Sequence, residues 1–405
     1  MIPAARSIAV AFALVAVLGL LSPRAAAQYA PGTVFAVRVA PDTSVKIAPY
    51  QFSGGTWNVG SALSASSTGT SALTMSSAAT IEGALTISSN GKYLGLAGYR
   101  TGIQNGGTDR VLGRVDLTTG SFSGSAAAID TTTSIASGTA YKSTGTLAAA
   151  AGNINSAVWN ATGTRYWAAG SGAASSGGTV TNTFGTTTGS VQLHPGSPNT
   201  RVVSVFNNQL YASARETGAF GIFTIGTGTP TTTGQAVTQV PGTGINGSTN
   251  PGTAGFALSP DGKLLYIADE RILANGGGIQ KWKLNAAGTL FELVVSFPTG
   301  TGSTVGARGL AVDFSTTDPT IYAVTSDTTN NRILRFQDVL DTQTGLTLID
   351  SSGSSDLFRG VAVIAPVPEP AMVVGLAALG LAGVRIVRRR RQGVAARIGR
   401  RESAK

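Results

Sequence analysis

The chain has 405 residues, no cysteine, a single histidine and a formal net charge of +10. The lack of cysteine excludes a disulfide-stapled framework and thiolate metal sites, and one histidine excludes a His-rich zinc centre. The positive charge is no nucleic-acid footprint, because it sits at the two ends and leaves residues 28–368 with a net of only +1.

Residues 1–27 read as a secretory signal peptide. Arg6 supplies the positive n-region and Ile8 to Leu21 the apolar h-region. Ala25-Ala26-Ala27 fits an Ala-x-Ala cleavage site, with Ala25 and Ala27 at the small positions and Gln28 as the mature start. An uncleaved N-terminal anchor is the alternative. The segment that follows, residues 28–364, is heavy in Gly, Thr, Ser and Ala and light in charge. Gly and Thr are poor helix formers, so the composition predicts an all-β ectodomain. Its length suffices for a large core without covalent staples.

Internal repeats carry the architecture. The clearest unit is Gly255-Phe-Ala-Leu-Ser-Pro-Asp-Gly262 followed by Lys263-Leu-Leu-Tyr-Ile-Ala-Asp269. It reads as strand, tight turn, strand, because Pro presets φ, Asp bonds its own backbone and Gly accepts φ > 0. Ile279 to Leu284 and Leu290 to Phe297 supply a third and a fourth strand. Four short antiparallel strands in this span make one blade of a β-propeller. Copies recur from Ala84, Ala157, Val202 and Gly309. Phe358 to Ile364 has the look of a first strand without a successor, and Thr33 to Val39 of a strand without its partner. The two complement each other, as in a ring closed by both termini. The starts predict six blades. The longer interval between 85 and 157 holds either an insertion, Ala126 to Gly152, or a seventh blade.

The Ser259-Pro-Asp-Gly-Lys263 unit resembles the blades of YVTN, NHL and lactonase-like propellers. That resemblance implies architecture and hardly any activity. Tyr266, Trp282, Tyr322 and Phe336 are expected to pack between blades. Sugar-lactonase propellers hold calcium in the central channel through oxygen ligands, so the resemblance makes calcium a possible cofactor. Glu82, Asp269 and Glu270 are the candidates, although the spacing of carboxylates picks out no unique set, and turn-capping explains them, with Asp116, Asp261, Asp313 and Asp327, more cheaply. No catalytic residue stands out. His194, before Pro195-Gly196, is expected to face solvent in a turn, and no Gly-x-Ser-x-Gly elbow frames a nucleophile. Non-enzymatic function is therefore expected.

The C-terminus holds three parts in order. Residues 365–370 contain Val367-Pro368-Glu369-Pro370, whose prolines bar a helix and hold the chain extended. Residues 371–387 form a short apolar span rich in Gly and Ala, 17 residues against the roughly 20 of an ordinary transmembrane helix. Arg385 and the cluster Arg388, Arg389, Arg390 and Arg391 then fix residues 388–405 in the cytoplasm by the positive-inside rule. Motif, span and basic cluster together resemble the PEP-CTERM sorting signal of exopolysaccharide-producing bacteria. The resemblance implies export by the secretion machinery and recognition near Pro-Glu-Pro by an exosortase. It also implies an inner-membrane precursor with its ectodomain outside, then residence at the cell surface or in the extracellular matrix, near exopolysaccharide. A plain single-span anchor is the alternative for the tail. For the ectodomain, a structural or binding role is expected. A calcium-dependent lactonase-like or glycan-active enzyme and an anchored protein-binding scaffold remain alternatives.

Overall fold

The computed structural model describes residues 29–101, 108–136, 152–172, 177–194, 199–216, 219–244, 250–300, 305–353 and 356–365. The expected signal peptide and its cleavage site at Ala25, Ala27 and Gln28, the Pro-Glu-Pro motif, the apolar span and the arginine cluster lie outside the described residues. Among the described residues no helix is long and apolar enough to cross a membrane.

The described chain is all-β. Its strands run in order β1 (Val34–Val39), β2 (Val45–Ser53), β3 (Thr56–Val59) and β4 (Leu63–Ser64). Next come β5 (Thr86–Ile87), β6 (Tyr93–Tyr99), β7 (Arg110–Asp116) and β8 (Ile129–Ile135). A third group is β9 (Ile154–Trp159), β10 (Arg165–Gly170), β11 (Gly178–Thr183) and β12 (Val191–Gln192). A fourth is β13 (Thr200–Phe206), β14 (Gln209–Glu216), β15 (Ala219–Ile225) and β16 (Val237–Gln239). A fifth is β17 (Thr253–Leu258), β18 (Leu264–Asp269), β19 (Gly278–Leu284) and β20 (Phe291–Phe297). The last are β21 (Ala307–Asp313), β22 (Thr320–Thr325), β23 (Arg332–Val339), β24 (Thr342–Ser351) and β25 (Leu357–Val363).

These strands form six antiparallel sheets among the described residues, five of them simple four-strand meanders. The innermost strands β5, β9, β13, β17, β21 and β25 neighbour one another round a ring. The sheets are the blades of a six-bladed propeller. The long interval between 85 and 157 hides no seventh blade in its described part: Ile129–Ile135 of the supposed insertion is the outer strand of the first complete blade. The sixth blade is shared by the two ends, in the order β25-β1-β2-β3, with β4 also on β2. Val34 faces Val363 and Val39 faces Leu357 in its seam.

The turn chemistry explains the repeat. Ser259 Oγ donates to Asp261 Oδ1 at 2.6 Å and accepts the Leu264 N–H at 2.9 Å, while the Lys263 N–H reaches Asp261 Oδ1 at 3.1 Å. Ser88 and Asn90 repeat this pattern, with 2.8 Å between Oγ and Oδ1 and the Tyr93 N–H at 2.9 Å from Ser88 Oγ. A short polar turn thus satisfies itself and aims two buried strands back at each other.

Burial falls from the axis outwards. All six residues of β9 and β22 are buried, whereas β24 is mostly exposed. Tyr266, Trp282, Tyr322 and Phe336 are buried, as expected of packing residues. Phe297 of β20 meets Phe336 of β23 edge-on, with ring centroids 5.3 Å apart, joining the fourth complete blade to the fifth.

Three hairpins need left-handed residues at both turn positions, and Gly54-Gly55 between β2 and β3 meets that need without strain, whereas the other two use residues with side chains. Between β13 and β14 these are Asn207 (φ 47°) and Asn208 (φ 59°), which tolerate that region. Between β23 and β24 they are Leu340 (φ 49°) and Asp341 (φ 64°). Leu340 is 90% exposed, so its side chain returns little for the strain. Leu340→Asn is expected to stabilise the protein by up to about 1 kcal/mol, read as a higher midpoint of urea unfolding at unchanged slope.

Candidate functional site: an arginine cluster in the central channel

The innermost strands carry a shared irregularity. Register slips between the innermost strand and its neighbour in five of the six blades. The extra residues on the inner strand are Asn155 in β9, Arg201-Val202 in β13, Ala254-Gly255 in β17, Arg308 in β21 and Arg359-Gly360 in β25. A bulge of this kind re-aims a side chain. Here it occurs near the start of each strand, at one end of the channel.

Three of the five bulges present arginine. Arg201, Arg308 and Arg359 line a cavity together with Ile81, Glu82, Ala84, Val202, Ala254 and Glu270. Glu82 precedes β5. Glu270 follows β18, whose pairing of Asp269 with Thr253 returns its end to the start of β17. Small residues beside the bulges let neighbouring inner strands close round this point. A Cβ on Gly360 would lie 2.1 Å from the Leu85 amide nitrogen, and one on Gly309 would lie 3.1 Å from the Arg359 carbonyl oxygen.

Glu270 is held by two cations: Arg308 Nε at 2.8 Å and Arg215 Nη1 at 2.5 Å. Glu82 accepts the Tyr99 hydroxyl at 2.8 Å and the Ser76 N–H at 3.1 Å. Burial raises the Glu82 carboxyl above its usual range, against these hydrogen bonds and the charge of Arg359. Arg359 donates through Nη2 to the carbonyls of Ser77 (2.8 Å) and Ser76 (3.3 Å), while its Nε and Nη1 have no partner. Arg308 Nη1 and Arg201 Nε are likewise buried and unpartnered. Burial, with like charge from neighbouring arginines, pushes Arg201 and Arg359 down to about 10.

Of the expected calcium candidates, the structure brings Glu82 and Glu270 to one cavity and leaves Asp269 apart. Asp269 is fully buried and bonds Arg271 at 2.8 Å, the Gly252 N–H at 3.1 Å and Gln280 at 3.2 Å. Among the described residues no three His, Asp or Glu side chains are grouped to hold a metal. The donor set does not fit calcium, because the carboxylates are already bonded and the unspent charge of the cavity is positive.

His194 is not in a solvent-facing turn. It is 2% exposed, behind the fully buried Leu193, and neither ring nitrogen has a partner. The chain past the edge strand β12 tucks inward because Leu193 continues the pairing onto the Thr179 carbonyl. Burial lowers the imidazole to about 4.

The arginines were missed in the sequence although a signal exists. Counted five residues back from Ser88, Asn160, Phe206, Ser259, Asp313 and Ile364 at the ends of the inner strands, Gly83, Asn155, Arg201, Ala254, Arg308 and Arg359 fall in one column. Arg308-Gly-Leu-Ala-Val and Arg359-Gly-Val-Ala-Val are near copies.

Residues 366–391 match the family model described as the PEP-CTERM protein-sorting motif. The periplasmic gluconolactonase of Pseudomonas aeruginosa is similar in structure over 80% of this chain and 81% of its own, at 14% identity and a TM-score of 0.44. A candidate 6-phosphogluconolactonase from Bacteroides uniformis is similar over 82% and 88%, at 14% identity and a TM-score of 0.45. No curated protein matches the chain. The chain is thus a six-bladed propeller followed at its C-terminus by a PEP-CTERM sorting motif, a signal for export and cell-surface sorting.

Proposed function

We propose that this protein is an exosortase-sorted binding module of the cell surface or extracellular matrix, working close to exopolysaccharide through its central channel. Residues 1–27 direct export and are removed, and residues 28–364 form the delivered propeller. Residues 365–370 present the sorting motif, residues 371–387 hold the precursor in the inner membrane, and residues 388–405 stay in the cytoplasm. The observation that carries this reading is the sorting motif at 366–391, directly behind the strand that closes the ring. Binding rather than hydrolysis is supported by the cavity, whose carboxylates are engaged by donors and whose free groups are arginine N–H.

Mass-spectrometric mapping of both ends tests it, on protein purified separately from membranes and from released material. The expected mature protein starts at Gln28 and ends near Pro368 to Pro370. Changing Pro368, Glu369 and Pro370 to alanine together is expected to leave the tail intact and the protein in the membrane. A tail preserved through Arg391 in all wild-type protein would mean a plain anchor and sink the sorting reading.

A further inference from the structure

The charge of the channel does not balance. Arg201, Arg215, Arg308 and Arg359 face one another's fields there, against Glu82 and Glu270 alone. Arg201 and Arg308 are each 8% exposed and Arg359 1%. The Arg201 Nε is buried without a hydrogen-bond acceptor, and Glu270 is the carboxylate that acts on its charge. A mostly buried guanidinium with a donor left unspent is costly. This chain nevertheless spends arginine at three equivalent bulges of its repeat, each turned to one cavity. The unpartnered donors, Arg201 Nε, Arg308 Nη1 and Arg359 Nε and Nη1, belong to three different blades.

We propose that this end of the channel is an anion site that takes the carboxylate group of an acidic solute, with Arg201 as its principal ligand. A planar guanidinium presents paired N–H groups that match two carboxylate oxygens. The cavity is small, about 20 Å³, room for about one water-sized group, so only the carboxylate oxygens of a ligand would reach between the arginines and a sugar ring would stay outside. Glu270 is a positioning residue, since it fixes Arg308 and Arg215 from the side and leaves the Arg308 Nη1 free. Glu82 sets a limit on the anion: a second full negative charge beside it would be repelled, which favours a monoanionic carboxylate over a phosphate dianion. The inference rests on the channel being the binding site of the proposed surface module. It is independent of how the tail is processed.

The test is calorimetric titration and thermal unfolding of the purified full-length protein in low-chloride buffer. The probes are sodium acetate, glucuronate, glucose, phosphate and sulfate. Acetate and glucuronate are expected to bind and raise the melting temperature, and glucose to do neither. Arg201→Met is expected to weaken glucuronate roughly tenfold or more. The ligand-free variant is expected to unfold no earlier than wild type, because a mostly buried guanidinium with a donor left unspent has been removed. Equal responses to glucose and glucuronate in the wild type would overturn the proposal whatever the variant does. So would full binding by Arg201→Met, or binding of phosphate or sulfate without the carboxylates. Terminal mapping reads the surface assignment separately, so a failed titration beside correct ends would reject the carboxylate site alone.

Discussion

Asp338→Ala lowers the stability of the propeller by about 3 kcal/mol or more. Asp338 is buried in β23, where the Tyr266 hydroxyl donates to it and the Lys281 ammonium lies 2.6 Å from its Oδ2. Lys281 itself is only 7% exposed. Burial alone would push its ammonium down, but the hydrogen bonds it donates to Asp338 and Asp341 outweigh that and hold it above its usual range. Removing Asp338 strands a buried cation and a buried phenol together. Asp341, 2.5 Å from the ammonium, keeps one partner in place and sets the loss at the low end for a broken buried pair. Asp338 also accepts the Asp341 N–H at 3.0 Å, so the hairpin that presents Asp341 loosens as well. The check is equilibrium urea unfolding of the variant beside Asp338→Asn, which keeps an acceptor and should lose less. A change under 1 kcal/mol for alanine would show that these blades are held by apolar contacts alone.

The second large effect is acid lability through His194. Its folded-state value is near 4 against an ordinary 6.5, because burial without a partner disfavours the imidazolium. The unfolded chain binds the proton first as pH falls. The contribution of the neutral, buried ring is therefore intact above pH 6.5 and lost progressively down to about pH 4. Below that both states are protonated and the loss levels off. At about 1.4 kcal/mol per unit, the window is worth about 3 kcal/mol. His194→Gln should unfold at nearly the wild-type denaturant midpoint near pH 7 and at a clearly higher one at pH 4.5. Carboxylates titrate in both proteins, so the difference between the two curves is the readout. Parallel curves would mean that the imidazole is solvated or paired.

How much of this was legible depended on whether the cause was local. The Ser259-Pro-Asp-Gly turn satisfies itself within five residues, so its sequence announces both the turn and the strands on either side. The matching half-blades at Thr33 and Phe358 were legible for the same reason, as repeat units visibly missing their neighbours. The same turn precedes β2 as Ala40-Pro41-Asp42-Thr43, where the Ser44 N–H reaches Asp42 Oδ1 at 3.0 Å, but Thr43 takes the left-handed place of the glycine and Pro49 disguises the strand that follows, so the rest of the shared blade stayed hidden. Ile129–Ile135 was masked by a Thr-rich composition that suits an edge strand as well as a loop. At the channel, Glu82 and Glu270 were picked out by residue type, but their neighbours were not. Arg308 and Arg215 approach Glu270 from other blades, and no spacing along the chain encodes that meeting. The bulges that turn Arg201, Arg308 and Arg359 to the axis are register faults between strands, invisible in either strand alone. His194 was misread because the Pro-Gly after it marks a turn without saying on which side of it the ring lies.

The seam between β25 and β1 bears on the order in which the molecule folds. Val34 and Val363 are about 330 residues apart in sequence, so their pairing closes the longest loop in the chain. Five blades can form from contiguous chain as they emerge, but the ring stays open until its final strand arrives. That strand ends at Val363, three residues before the matched sorting motif begins. For a chain threaded outwards from its N-terminus, circularisation therefore waits on almost complete translocation. A cut inside the motif would spare the strand that locks the ring, whereas one only a few residues earlier would release a horseshoe with two open edges.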